Sequence, residues 1–228
     1  MTEGYESDTR AAYQDSARAA SYRDQTRRLT WARVATAREL RLVAKMIEDC
    51  GGADPGRILD APCGTGVAGP LLARLGQRAT ALDVSSEMMS LARAEYPEGS
   101  LNGFVRGDMT ALPFLDRSFT GAIVLGFMHR LPVDVGELSI QELTRVVDRY
   151  LVLTFSVDTQ FQRLKKMVLR LLRGPAYIAP APRALREIRS SLEAAGLAVR
   201  QCESVLPGLS SAVVVLAERC PPPDADVS

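Results

Sequence analysis

The chain is short of histidine, of lysine and of long apolar runs, and each shortage removes a class of function. One histidine among 228 residues, and four cysteines (Cys50, Cys63, Cys202 and Cys220) without metal-ligand spacing, leave too few ligands for a zinc site, so no metal is expected. Lysine is nearly absent: 25 of the 28 basic residues are arginines, dispersed along the chain and balanced by 27 acidic residues to a net charge of +1. No basic field of the kind that holds DNA or RNA results, and no nucleic-acid partner is expected. No apolar run reaches about 18 residues, and the opening MTEGYESDTR is acidic and polar, so neither a spanning helix nor a secretory leader is expected. Reduced thiols in a cytoplasm fit the cysteines. The oligomeric state has no signature, and no internal repeat is visible.

What is present is regular. An apolar content of 46% in 228 residues suffices for one well-buried core. Residues 1–20 lack strong periodicity and read as a mobile N-terminal arm, and PPPDADVS at 221–228 as part of a disordered tail over 220–228. Between them, over 21–219, one domain is expected. Apolar residues recur at helical spacing from Thr26 to Asp49 and stop at Gly51-Gly52. Strands then alternate with helices: strand 57–61, helix 67–75, strand 78–82, helix 86–94, strands 102–106 and 121–126, helix 137–147, strand 149–155 and helix 183–195. Two strands, 197–205 and 211–218, follow, joined through Pro207-Gly208. Such alternation predicts an α/β fold with a mostly parallel sheet covered on both faces, closed by an antiparallel C-terminal edge hairpin.

The first strand, Ile58-Leu59, runs into the glycine-bearing turn Asp60-Ala61-Pro62-Cys63-Gly64-Thr65-Gly66 and then a helix. Glycines let a backbone bend sharply and let a ligand lie on main-chain N–H groups near a helix N-terminus. Two ligand families compete for such a turn. Gly64-x-Gly66-x-x-Gly69, with Asp83 nineteen positions after Gly64, satisfies the fingerprint of NAD(P)-dependent oxidoreductases, in which an acidic residue binds the ribose. Asp60 at the strand end argues the other way: a fixed carboxylate opposes a pyrophosphate but suits S-adenosyl-L-methionine, which brings an ammonium, a sulfonium and a single carboxylate.

Four motifs in order, Asp60 to Gly66, Ala81-Leu82-Asp83, Gly107-Asp108-Met109-Thr110-Ala111-Leu112-Pro113-Phe114, and Ala122 to His129, give the chain its family likeness. It resembles the class I S-adenosylmethionine-dependent methyltransferases with Rossmann-like folds, of the small-molecule sort typified by ubiquinone and menaquinone methyltransferases, and the likeness runs from about residue 22 to 219. The resemblance implies a seven-stranded sheet, S-adenosyl-L-methionine as cofactor and methyl transfer to a small organic acceptor by in-line displacement. It implies that Gly64 and Gly66 pass beneath the methionine part of the cofactor, that Asp83 holds the ribose hydroxyls and that Asp108 with Met109 meets the adenine. The cofactor-binding set implied is Asp60, Pro62, Cys63, Gly64, Thr65, Gly66, Asp83, Val84, Asp108 and Met109. The chain departs from the family at Pro62, where a glycine is usual and φ is fixed, at Thr120, where an aspartate is common, and before the fifth strand, where no Pro-Gly-Gly turn stands.

Simpler roles accompany several of these residues. Asp83 also suits capping of a helix beginning at Ser85 or Ser86, Asp60 suits a buried hydrogen-bonded carboxylate that shapes the turn, Asp108 after Gly107 is a natural turn pair, Cys63 suits packing, and Met88 and Met89 suit a helix core. His129 is the candidate catalytic base, since a group titrating near neutrality suits removal of a proton from an alcohol, phenol or carbon acid; its simpler role is a histidine of the pocket mouth. The amphipathic insert 157–182, with Phe161, Leu164, Val168, Leu171 and Leu172 on one face and basic residues opposite or flanking, reads equally as a surface helix and as a lid over an apolar or anionic acceptor; a membrane-surface contact is the less favoured reading. A non-catalytic S-adenosylmethionine-binding partner protein is the remaining alternative.

Overall fold

The computed structural model describes residues 30–51, 56–157 and 183–220. The expected arm, the first residues of the N-terminal helix, all but the first residue of the 157–182 insert and most of the tail lie outside them. The elements run α1 (Thr30–Asp49), β1 (Arg57–Asp60), α2 (Gly69–Arg74), β2 (Arg78–Asp83), α3 (Ser86–Ala92), β3 (Leu101–Arg106) and β4 (Phe119–Val124). A single 3-10 turn (Met128–Arg130) follows, then α4 (Val133–Val146), β5 (Val147–Ser156), α5 (Leu185–Ala194), β6 (Leu197–Ser204) and β7 (Ala212–Arg219).

The strands form one seven-stranded sheet in the order β3-β2-β1-β4-β5-β7-β6. Strands β1 to β5 are parallel, and β7 runs antiparallel to both its neighbours. The C-terminal hairpin therefore closes the sheet as expected, with its antiparallel strand inserted between β5 and the edge strand β6. Parallel strands between two helical layers must bury both faces, and the sequence of β5, VDRYLVLTFS, is accordingly buried almost without interruption from Tyr150 to Phe155.

The alternation of β5 divides the core. Tyr150 and Val152 face a layer that includes Val43, Met46 and Ile47 of α1 and Cys50 just beyond it. Their spacing of three and four residues is what one helical stripe requires. Leu151, Leu153 and Phe155 face the opposite layer, which includes Ile140 and Leu143 of α4 and Ile188 and Leu192 of α5. Cys50, near the end of α1, accepts a bond at its carbonyl from Arg149 at the start of β5, while Glu39, midway along α1, meets Thr154 near the end of β5. Helix α1 thus runs antiparallel to β5, with its N-terminal half toward the sheet's carboxyl edge.

Strand order marks that edge as the place for a ligand. The chain winds outward from β1 through β2 to β3, returns to the other side of β1 as β4, and proceeds to β5. Order reverses between β1 and β4, and ligands of open α/β sheets lie outside the strand ends at such a reversal.

Candidate active site

The turn after β1 is closed by its own backbone. Cys63 N–H donates to Leu82 O at 2.8 Å, Gly66 N–H to Cys63 O and Gly69 N–H to Gly66 O, both at 2.9 Å, and Gly64 N–H to Asp83 Oδ2 at 2.9 Å. Helix α2 begins only at Gly69, with Pro70 in its first turn and Ala68 as an N-cap that makes no side-chain bond, two residues later than its sequence pattern suggested. These four N–H groups are committed inside the protein.

The glycines separate by task. Gly64 (φ +51°) and Gly66 (φ +80°) both need left-handed backbone. A Cβ at Gly66 would stand 2.9 Å from the carbonyl oxygen of Ala92, and one at Gly69 2.9 Å from that of Glu95, so these two let the turn pack on α3 and the residues after it; a Cβ at Gly64 would meet nothing within 4 Å. Gly64 therefore borders open space. Pro62, half-buried, follows a cis peptide bond from Ala61, and Cys63 and Thr65 are buried. Burial, with the charges of Asp60 and Asp83 adding to it, pushes the Cys63 thiol far above its ordinary range, which fits packing and not reactivity.

Two carboxylates stand at adjacent strand ends. Asp83 closes β2 at 5% exposure. Beyond Gly64 it accepts the Ser85 N–H at 2.9 Å on Oδ1, while Ser85 caps α3 by accepting the Met88 N–H at 3.1 Å. Burial raises the Asp83 carboxyl, opposed by the backbone bonds from Ser85, Gly64 and Val84. Asp60, 2% exposed, accepts the Tyr96 hydroxyl at 2.5 Å. Its carboxyl is raised from 3.8 to about 7, chiefly by burial and further by the charge of Asp83, against the stabilising bond from Tyr96. Among the described residues no ion pair involves either carboxylate.

The segment after β3 lies beside Asp83, because Gly107 N–H donates to Asp83 O at 3.1 Å. Asp108 Oδ1 accepts both the N–H (2.8 Å) and the hydroxyl (2.9 Å) of Thr110, forming a local turn. Met109 is buried in the core. Half-buried Val84 offers its carbonyl to Arg106 Nε at 3.1 Å. Met88 and Met89 are core residues of α3, as expected.

His129 follows the carboxyl end of β4 by five residues. β4 ends at Val124, not at 126, and His129 occupies the 3-10 turn, which lies against β5. The chain bends at Gly126 (φ +61°), which an apolar run ending Leu125-Gly126-Phe127-Met128 does not announce. The imidazole is half-buried, and its Nδ1 is buried without a hydrogen-bond partner. Burial, with the neighbouring Arg130 charge, lowers its pKa from 6.5 to about 4. It is neutral at physiological pH.

Tyr96 and the pair Glu39–Thr154 belong to this edge and escaped sequence reasoning. Thr154 donates to Glu39 Oε1 at 2.6 Å, and burial raises the Glu39 carboxyl. Periodicity places Glu39 on a helix but does not reveal which strand end that helix crosses, and nothing near Tyr96 in sequence marks it as the partner of Asp60.

Fold and turn together define the class, a Rossmann-like α/β protein with the seven-stranded sheet in which β7 runs antiparallel. A family model described as a methyltransferase domain matches residues 58–149, the stretch that carries the turn, Asp83 and the 107–114 segment. The demethylmenaquinone methyltransferase of Mycobacterium sp. (strain KMS) is 36% identical over 161 residues, covering 65% of this chain and 67% of that protein. The demethylmenaquinone methyltransferase of Renibacterium salmoninarum is 36% identical over 103 residues, 45% of this chain, and the chain spans 41% of that protein's length. The chain belongs to the S-adenosylmethionine-dependent methyltransferase family. Its fold matches that of magnesium protoporphyrin IX methyltransferase from Synechocystis PCC 6803 with bound SAH, at a TM-score of 0.76 and 19% identity, covering 93% of this chain and 98% of that one.

Proposed function

We propose that the chain binds S-adenosyl-L-methionine across the carboxyl ends of β1, β2 and β3 and transfers its methyl group to a small organic acceptor. One observation carries this reading: Asp60 and Asp83 are buried at neighbouring strand ends with no ion-pair partner among the described residues. Buried carboxylates call for compensation, and a ligand bearing an ammonium, a sulfonium and a ribose diol supplies it. A pyrophosphate adds negative charge instead. In this reading Asp83 uses its remaining lone pairs for the ribose hydroxyls, the open face of Gly64 with Pro62, Cys63, Thr65 and Gly66 passes beneath the methionine moiety, and Val84 borders the ribose. Asp108 and the backbone of Met109 meet the adenine. Asp60 lies toward the positive end of the donor.

The transfer is a displacement at carbon. The acceptor's nucleophilic atom forms a bond to the methyl carbon as the carbon–sulfur bond breaks, its electron pair stays on sulfur, and S-adenosylhomocysteine leaves as a neutral thioether. The protein's main contribution is alignment and exclusion of water. An acceptor that must lose a proton gives it to a base, and we assign that role to His129, whose imidazole is neutral and offers a lone pair. A conjugate acid near 4 makes the imidazole a weak base, which suits only acceptors whose proton is already acidic, such as activated carbon acids. The likeness to enzymes named for demethylmenaquinone and magnesium protoporphyrin IX, and the mixture of apolar and basic residues in the sequence of 157–182, support an acceptor with an apolar body or an anionic group. Four free cysteines, and the lack among the described helices of one long and apolar enough to cross a membrane, support a site of action in the cytoplasm.

The direct test combines purified protein, trideuteromethyl donor and an extract of the source organism. A product heavier by the labelled methyl, formed in proportion to S-adenosylhomocysteine, is expected. Donor binding without label transfer to any extract component contradicts the catalytic reading.

A further inference from the structure

The connection from β3 to β4 covers twelve residues, 107–118, and contains no helix. Structureless connections of that length need external support to hold one conformation. Here the support comes from α4. Arg145 donates from Nη2 to Leu112 O at 2.9 Å and from Nη1 to Phe114 O at 2.8 Å, while Glu142 Oε2 accepts the Leu112 N–H at 2.8 Å. The two side chains are locked to one another by a two-pronged contact, Nε to Oε1 and Nη2 to Oε2, each at 2.8 Å. Leu112 thus has both its N–H and its C=O bound by the pair, as a neighbouring strand would bind them.

This clamp closes on the residue that ends the Asp108–Ala111 turn, where Asp108 and Ala111 pair across a bridge and Ala111 N–H donates to Asp108 O at 3.2 Å. Leu112 is buried in the same cluster as Met109, and Phe114 stands edge-on to Phe119 at 4.8 Å between ring centres. The connection is thus tied to α4 at Leu112 and Phe114, directly after the Asp108–Ala111 turn. Glu142 and Arg145 are three residues apart on one helical face, a pairing that is worth little on a free surface; here its remaining bonding capacity is spent on the loop. The planar fork of arginine suits the task in a way that a lysine ammonium does not.

We propose that Glu142 and Arg145 are positioning residues for adenine recognition: by fixing Leu112 and Phe114 they hold Asp108 and Met109 in the register that reads the base. This rests on the proposed donor site, and it goes further by assigning base specificity to a pair of side chains that touches no ligand. The test compares equilibrium binding of S-adenosylhomocysteine with that of S-inosylhomocysteine, which differs only at the base. The wild-type chain is expected to prefer the adenosyl compound. Arg145→Met is expected to lose about tenfold of that preference, chiefly through weaker adenosyl binding, with inosyl binding little changed. Arg145→Lys, which keeps a cation but not the fork, should fall between the two, and Glu142→Gln should shift in the same direction. An equal loss for both compounds would reduce the pair to a general brace and overturn the proposal, as would unchanged preference in Arg145→Met and Arg145→Lys. Should the wild-type chain bind neither compound, the donor site itself is wrong, an outcome distinguishable from failure of the clamp alone.

Discussion

Asp83 does two jobs with one carboxylate. It fixes the turn through Gly64 and the start of α3 through Ser85, and in the proposed site its remaining lone pairs accept the ribose hydroxyls. Replacement by Asn keeps the shape while removing the charge that strengthens these bonds, so Asp83→Asn is expected to weaken S-adenosylhomocysteine binding by about 1–3 kcal/mol; titration calorimetry measures this, and unchanged affinity would remove Asp83 from the site. Asp60 makes binding depend on pH. Its folded carboxyl is raised to about 7, so below that value the free protein holds a proton there. A cationic donor favours the ionised form, hence affinity for S-adenosylmethionine should rise as pH increases toward about 7 and then level, with a smaller slope for the uncharged sulfur of S-adenosylhomocysteine. Stability of the free protein should run the other way: the folded chain retains a proton that the unfolded chain gives up, so the contribution of this group is fully present below its ordinary carboxyl range and declines as pH rises toward 7. Denaturant titrations across that window, with and without donor, separate the two signs. For His129, replacement by Gln should lower turnover by about a hundredfold while leaving donor affinity unchanged, and the wild-type rate should fall on the acid side near pH 4, where the imidazole protonates. A near-normal rate in His129→Gln would make it a wall residue.

At the scale of elements, the sequence specified the existence and order of the described strands and helices, because glycine and proline punctuated runs whose periods differ. It was weaker at their ends. Helix α4 starts at Val133, four residues before its expected position, because Pro132 caps it with backbone geometry and no side-chain signal. The 3-10 turn that carries His129 lies beyond the expected strand 121–126, in an apolar stretch too short to show a helical period. The turn glycines were legible as a group but not individually, since their difference lies in which backbone comes near. Both left-handed positions cost a side chain about 1–2 kcal/mol, but Gly66→Ala must also displace the carbonyl of Ala92, which adds about 1–3 kcal/mol of overpacking. Thermal or denaturant unfolding should therefore show a larger stability loss for Gly66→Ala than for Gly64→Ala. Binding should show the reverse ranking among the molecules that remain folded, because the methyl of Gly64→Ala projects into space assigned to the ligand. Equal effects in both assays would contradict the division of labour.

For the molecule as a whole, the order of β-strands and the antiparallel placement of β7 follow from two readable facts: alternating helices and strands up to β5, and a hairpin signal at Pro207-Gly208. What sequence could not reveal was which helix face meets which strand end, and hence that α1 brings Glu39 to the tip of β5 or that α4 clamps the β3–β4 connection through Glu142 and Arg145. Contacts between residues 30 to 115 positions apart leave no periodic trace. The site is therefore legible where it is built from consecutive residues, as in 60–66 and 107–109, and illegible where distant side chains complete it. The sheet brings Asp60 and Asp83 to the carboxyl ends of adjacent strands and buries both, and the proposed function turns on the charge that compensates them. Calorimetric titration of the wild-type chain with S-adenosylmethionine, S-adenosylhomocysteine, NADH and NADPH tests this most directly. Saturable binding of both adenosyl compounds, with no heat from either nicotinamide, is expected; binding of a nicotinamide cofactor with no response to the adenosyl compounds would contradict the assignment.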